Sequence, residues 1–308
     1  MAKLNTVAKS ATHHVLVFGD AKTGKTQLVG ELSSHFNLLW FDLESGVTTL
    51  YKLPEEQQAR IELIAIPDSA TYPIAGETLL KVLAGNPVDI CEAHGKVSCP
   101  ICKKSGAPST TVNVSALKSD TILVIDSLTQ LASSVMSHIT KDAVAADPNY
   151  KLQRDDFGNQ GAVLMRILSQ IQAANYNVVC ITHVIEAELE DGKKKLVPNC
   201  GTRNLSATVA KYFDHVIYTQ VANMTHARGS TTTYMNNVQT GSRTDMNLAK
   251  GDTLLDIFLN NKPRASSSAT ATATAPAPAG AGQSTANAQA TTNLAALKAK
   301  ALLAKQPT

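Results

Sequence analysis

Residues 14–26 read His14-Val-Leu-Val-Phe-Gly19-Asp20-Ala21-Lys22-Thr23-Gly24-Lys25-Thr26. A short apolar run meets a glycine, a four-residue spacer and then Gly-Lys-Thr. This is the phosphate-binding loop pattern in the setting it requires, a strand running into a helix. Val15 to Phe18 are β-branched or large and apolar, which suits a buried parallel strand. Gly19 and Gly24 let the backbone curl so that successive N–H groups point inward. With the helix N-terminus they cradle an anion over Gly19, Asp20, Ala21, Lys22, Thr23, Gly24, Lys25, Thr26 and Gln27. Lys25 sets a point charge against the β- and γ-phosphates, and Thr26 offers its hydroxyl to Mg²⁺. The pattern thus implies ATP, Mg²⁺ and an α/β fold.

The 308 residues suffice for one large core with appendages. No apolar run reaches membrane-spanning length. The start, MAKLNTVAKSATHH, has no apolar stretch after its lysines, so it does not read as a secretory signal. A cytoplasmic protein with no membrane partner is expected, in the host cytoplasm if a phage encodes it. Five cysteines in that compartment argue for metal or free thiols over disulfides. Net charge is +3, but four of the 28 Lys/Arg and none of the 25 Asp/Glu fall from Arg264 onward. That leaves 24 basic against 25 acidic residues in the body, so any nucleic-acid contact must come from a local patch.

The body is expected to span 13–262. Apolar β-like runs recur at Val15–Phe18, Leu38–Phe41, Ile61–Ile66, Thr121–Ile125 and Val178–Thr182. Helical stretches intervene at Thr26–His35, Ala75–Ala84, Leu128–Ile139 and Gly161–Ala174. This alternation predicts a mostly parallel sheet sandwiched by helices. After Asp214, Val216–Val221 and Thr231–Val238 flank a turn containing Gly229 and read as a terminal hairpin. Residues 263–292 are almost all Ala, Ser, Thr, Pro, Gly, Asn and Gln, too little apolar surface to offset ordering entropy, and read as a linker. Residues 293–305, NLAALKAKALLAK, have the spacing of a short amphipathic helix. It reads either as a solvated tail or as a tethered contact for a replication or single-strand-binding protein.

Thr121-Ile-Leu-Val-Ile-Asp126-Ser127 is an apolar strand ending in an aspartate. Beside a phosphate-binding loop this is the Walker B arrangement, with Asp126 holding Mg²⁺ through its water shell. Hydrolysis also needs a group to deprotonate water. Many motor ATPases place a glutamate directly after that aspartate, where this chain has Ser127. The substitute lies at the end of the next strand, Leu39-Trp40-Phe41-Asp42-Leu43-Glu44. Period-two alternation puts Asp42 and Glu44 on one side at the carboxyl end, where ligands of open α/β sheets collect. Glu44 is therefore the candidate general base; the other reading is a solvated loop carboxylate.

VIDSL, the FDLE strand end and the strand Val178-Val-Cys-Ile-Thr182-His183 resemble the RecA-type recombinase core over about residues 13 to 260. The resemblance implies that Glu44 is the catalytic glutamate and that His183 senses the γ-phosphate. The Thr-His form is similar to smaller RecA-core ATPases of bacteriophages, some of which anneal single strands. The segment after His183 then corresponds to the family's mobile DNA-binding loop. In it Lys193, Lys194, Lys195 and Arg203 would contact phosphates of single-stranded DNA, although DGKKK is also an ordinary exposed hairpin tip. Members of the family complete their site with a basic residue from a neighbouring subunit. That implies a homo-oligomer and points to Arg243 as the trans-acting finger; the alternative is a surface arginine.

Cys91-x₂-His94-x₄-Cys99-x₂-Cys102 lies in an insert expected at 88–106. Two tight pairs joined by a short loop can wrap a tetrahedral ion, and an S₃N set suits Zn²⁺ in a closed structural site. Lys96, Lys103 and Lys104 make the knob basic, so contact with nucleic acid and a purely structural role both fit. Cys180 reads as a buried filler, and Cys200 as a loop thiol. Three functions accommodate these features: a DNA-binding ATPase of phage-type recombination, replication or annealing; a ring-forming motor or helicase; and a nucleotide-gated adaptor with little turnover.

Overall fold

A computed structural model describes residues 12–188, 192–222, 225–231, 237–243 and 253–259. The first half runs β1 (His14–Gly19), α1 (Lys25–Gly30), β2 (Asn37–Asp42), α2 (Glu55–Gln58), β3 (Ile61–Ala65), α3 (Ala75–Leu83), β4 (Val88–Cys91), α4 (Pro100–Ser105) and β5 (Ser109–Val112). There follow β6 (Thr121–Asp126), α5 (Leu128–Ala146), α6 (Arg154–Gln172), β7 (Asn177–Glu188), β8 (Lys194–Pro198) and α7 (Arg203–Thr208). The last elements are β9 (His215–Ala222), β10 (Thr225–Thr231), β11 (Gly241–Ser242) and α8 (Leu254–Leu259).

The strands β9-β1-β7-β6-β2-β3 lie side by side in that order, and every neighbouring pair is parallel. Antiparallel β10 and β11 add to β9, and antiparallel β8 adds to β7. The mostly parallel α/β sheet expected from the alternation of apolar runs is therefore present. Period-two alternation divides its side chains between two cores. Leu16, Phe18, Leu123, Ile125 and Cys180 face α3, α5 and α6, meeting Leu79, Leu131 and Leu164. Val15, Val17, Trp40, Val124 and Ile181 face α1 and α8, meeting Val29, Leu254 and Phe258. Every residue of β1 is buried, as a strand covered on both faces must be.

Register then positions the site. Gly19 pairs with His183, Ile181 with Asp126, and Asp126 with Asp42. The carboxyl ends of β1, β7, β6 and β2 thus meet at one edge of the sheet.

Several boundaries differ from expectation. The helix after the loop ends at Gly30 and tightens into a 3₁₀ turn at Glu31–Ser34. α6 starts at Arg154 instead of Gly161, because Gln153 and Asp156 form a capping box that organises a polar first turn. β9 continues to Ala222, and Gly229 lies within β10 near Gln220 instead of in a turn. Val238 bridges to Leu196 instead of pairing in that hairpin. Cys180 is buried as expected, and Cys200 lies in the loop between β8 and α7 as expected, with its side chain fully buried in the core. The linker expected at 263–292 and the helix expected at 293–305 lie outside the described residues. Among the described residues, no helix is long and apolar enough to cross a membrane.

His215 opens β9, fully buried, with its ring 2.8 Å from Ser242 Oγ and 3.3 Å from the His13 ring. Burial, and after it His13, pushes its pKa down to about 4. In the unfolded chain it titrates near 6.5. The stabilisation from keeping it neutral is therefore complete above about 6.5 and lost as pH falls towards 4, by up to about 3 kcal/mol. Urea midpoints should fall across that window, and His215→Gln should flatten the fall.

Candidate nucleotide site and metal centre

Gly19 ends β1 so close to β9 that a Cβ would collide with the carbonyl oxygen and the hydroxyl of Thr219. Thr219 Oγ1 donates to Phe18 O at 3.2 Å and lies 2.8 Å from Thr23 Oγ1, so β9 braces the loop from one side. Thr219 was not legible as a site residue, since nothing in its local sequence ties it to a loop two hundred residues away. Gly24 takes φ +82° and caps α1. Asp20, Ala21 and Lys22 are exposed, while Thr23, Thr26 and Gln27 are half-buried. Lys25 is buried, and its Nζ donates to Gly19 O at 3.1 Å and Asp20 O at 2.7 Å. Burial lowers its pKa against the pull of Asp126, Glu44 and Asp20.

Asp126 is 3% exposed, and its Oδ2 accepts from Thr26 Oγ1 at 3.1 Å. Burial, and after it the Glu44 charge, raises Asp126 to about 7. Ser127 then caps α5: its Oγ accepts from Gln130 N at 3.2 Å and its hydroxyl donates to Glu44 Oε1. The same Glu44 oxygen lies 3.5 Å from His183 Nε2. The His183 ring, joined by Ser127 and Lys25 and opposed by burial, holds Glu44 below the usual carboxylate range. Glu44 is thus ionised at neutral pH and only partly shielded.

Asp42, the other acid at this strand end, has a structural part. β2 ends there, and Asp42 Oδ1 accepts from Glu44 N and Gly46 N, each at 3.2 Å. Buried Asp42 shapes the turn that delivers Glu44. His183 is also held: its N–H donates to Thr129 Oγ1 at 3.0 Å, and its carbonyl accepts from Asn199 N at 2.7 Å. Thr129, on the first turn of α5, is a second residue that sequence reading missed.

Thr26 and Asp126 fit Mg²⁺. Oxygen donors suit a hard cation, and an acid held near 7 by burial and a neighbouring carboxylate is one that positive charge would relieve.

The remaining candidates fall elsewhere. Strand β7 runs through His183 to Glu188 and pairs with β8, the hairpin that is one of the two readings of this segment. Its residues 189–191 lie outside the described ones. Lys193 and Lys194 are exposed, but Lys194 Nζ is 2.7 Å from Glu186 Oε1 and sits opposite Glu188. Lys195 pairs with Ala187 on the same ladder. Arg203 opens α7 and lies apart from these lysines, in a groove of about 800 Å³ that Arg154, Phe157, Gly158, Met165 and Gly201 help to line. Arg243 lies far from its own chain's P-loop. Its Nη1 is 3.0 Å from Asp214 Oδ1, while Asp214 Oδ2 accepts from His14 N where β1 begins, at the opposite edge of the sheet.

Cys91, His94, Cys99 and Cys102 come together on β4, the following turn and α4. Their ligand atoms all lie within 4.8 Å of one another. His94 Nδ1 is 3.1 Å from Cys102 Sγ and 3.7 Å from Cys99 Sγ, and the three cysteines are buried. Strands β4 and β5 close this insert as a separate two-stranded sheet, so it extends to Val112 rather than ending at 106.

A buried parallel strand feeding a glycine loop, with Lys25 and Thr26 beside Asp126, defines a P-loop NTPase. A family model described as an AAA domain (AAA_24) matches residues 11–251. The chain belongs to that family. Comparison with curated proteins gives no match.

Lys25→Ala should weaken binding of a fluorescent ATP analogue by about tenfold or more, a loss of at least about 1.4 kcal/mol. Thr219→Val, which removes the brace while keeping the shape, should weaken it several-fold with little change in melting temperature.

Proposed function

We propose that this P-loop protein is a Mg²⁺-dependent ATPase of RecA type that binds single-stranded DNA in phage-type recombination, replication or annealing. The observation that carries the catalytic part is the Ser127–Glu44–His183 cluster at the carboxyl edge of the sheet. Glu44 is ionised, anchored through one carboxylate oxygen, and close enough to act on a water that attacks a phosphate seated on Gly19–Thr26. Mg²⁺, held by Thr26 and Asp126, would neutralise phosphate charge. Lys25 supplies the second positive charge there. His183 Nε2, beside the base, is placed to read the γ-phosphate. Arrival of the glutamate from the end of β2, and not directly after Asp126, supports the RecA-type reading.

The DNA part draws support from the Arg203 groove more than from the lysines. Phe157 and Met165 are 43% and 44% exposed there, and Arg154 and Arg203 flank them. An exposed ring beside arginines is what stacking of bases along a phosphate backbone requires. The groove also lies two residues along the chain from Asn199, which bonds His183. The lysines of the hairpin have glutamates beside them and add less. In this reading the Cys₃His cluster holds Zn²⁺, and Arg243 acts as a finger on a neighbouring subunit only by leaving Asp214.

Two measurements test this. Glu44→Gln should lower kcat by about 10²–10⁴ while nucleotide binding persists; unchanged turnover would sink the assignment of the base. Single-stranded DNA should stimulate turnover, and Phe157→Ala with Arg203→Glu should weaken DNA binding by about tenfold or more. Turnover indifferent to single-stranded DNA would leave an ATPase without the DNA role, and feeble turnover would favour the adaptor.

A further inference from the structure

Resting on the reading of Cys91, His94, Cys99 and Cys102 as a zinc site, we infer that the bound metal is a clamp that positions the catalytic end of the nucleotide site. The insert packs into the main core through Ile90, Val97 and Val112, and its metal-binding turn is keyed there at Gly95. Gly95 follows ligand His94 directly and takes φ +60°. A Cβ there would lie 2.9 Å from Pro67 Cδ and 3.0 Å from Ile66 Cα, so the turn of the knuckle rests on the backbone that follows β3. Its carbonyl accepts from the buried Thr78 hydroxyl of α3 at 2.8 Å. The Tyr72 ring packs edge-on to the His94 ring, with centroids 6.4 Å apart.

The segment under the knuckle touches both elements that hold Glu44. Ile66 N donates to Asp42 O at 2.9 Å, at the end of β2. Asp68 Oδ1 accepts from Ile74 N at 2.8 Å, Ala75 N at 2.9 Å and Ser134 Oγ at 2.6 Å. Its Oδ2 accepts from Gln130 Nε2 at 3.1 Å. The backbone N–H of that same Gln130 donates to Ser127, whose hydroxyl donates to Glu44. From His94 to Glu44 the contacts are continuous: Gly95, Pro67, Asp68, Gln130, Ser127.

The clamp needs its ion. Strands of four residues and a helix of six frame the insert; Ile90, Val97 and Val112 anchor its base in the main core, while the ligand-bearing end has only Cys91, Cys99, Cys102 and Ala107 packed together. Elements this short do not hold a shape by apolar burial, and in such modules metal binding supplies the folding free energy. Three thiolates and an imidazole in a closed set select Zn²⁺ in tetrahedral geometry.

Continuity of contacts becomes coupling only when both ends are seen to respond. The test uses the full chain. Metal analysis should find one zinc per chain, and Co²⁺ in its place should give tetrahedral thiolate spectra. Stripping the metal should raise amide exchange at 66–75 and at the start of α5 by about tenfold or more, while β1 and α6 stay protected. It should also lower kcat more than nucleotide affinity. Gly95→Ala should keep the cobalt spectrum yet reproduce the exchange in 66–75. Bound zinc whose removal loosens only 88–112, or a Gly95→Ala protein that exchanges like the parent, overturns the clamp and leaves the zinc site standing. A protein that takes up neither zinc nor cobalt overturns both.

Discussion

The parallel register of β1, β7, β6 and β2 is the constraint on which the rest of the molecule depends. Through the parallel core each strand is buried on both faces, so it cannot slip by one residue without turning its side chains into the wrong core. Because the registers are locked, Gly19, His183, Asp126 and Asp42 end at one edge. The chemistry there needs no long loops to assemble it. A turn of two residues after Asp42, a capping serine after Asp126 and the glycine loop after Gly19 suffice.

That edge concentrates charge of one sign. Asp126, Glu44 and Asp20 bear on the buried ammonium of Lys25, and burial discourages ionisation of Asp126 and Asp42 while hydrogen bonds preserve it in Glu44. Neighbouring carboxylates whose environments push them apart are a means of separating roles. The one held ionised is suited to accept a proton. The one held near neutrality is suited to a cation.

Much of this was legible in the sequence because it is local. The glycine loop, the apolar strand ending at Asp126 and the Cys/His spacing each bring chemistry and geometry together within a dozen residues. The strand order was not legible in that way, and neither was what depends on it. Thr219 matters because β9 lies beside β1, and Thr129 because α5 passes under β7. What Asp42 does was not legible either, because its hydrogen bonds to the turn at 44–46 form only where β2 stops. The start of α6 was missed for a different reason: its first turn is polar, and the side-chain cap that begins it leaves no apolar stripe. The hairpin after His183 had the right composition for an exposed tip, which its basic run partly obscured.

Strand β7 is twelve residues long, with His183 near its middle. Its first half is buried within the parallel sheet; beyond His183 it pairs with β8 alone, while Val184 still packs against the core and Ala187 stays buried. An extended strand advances about 3.3 Å per residue, so the tip at Glu188 stands about 17 Å beyond the imidazole. With His183 reading the γ-phosphate as proposed, the strand would act as a lever pivoting at that residue. A tilt of about five degrees at His183 would move Glu188 by about 1.5 Å, a large displacement from a small adjustment.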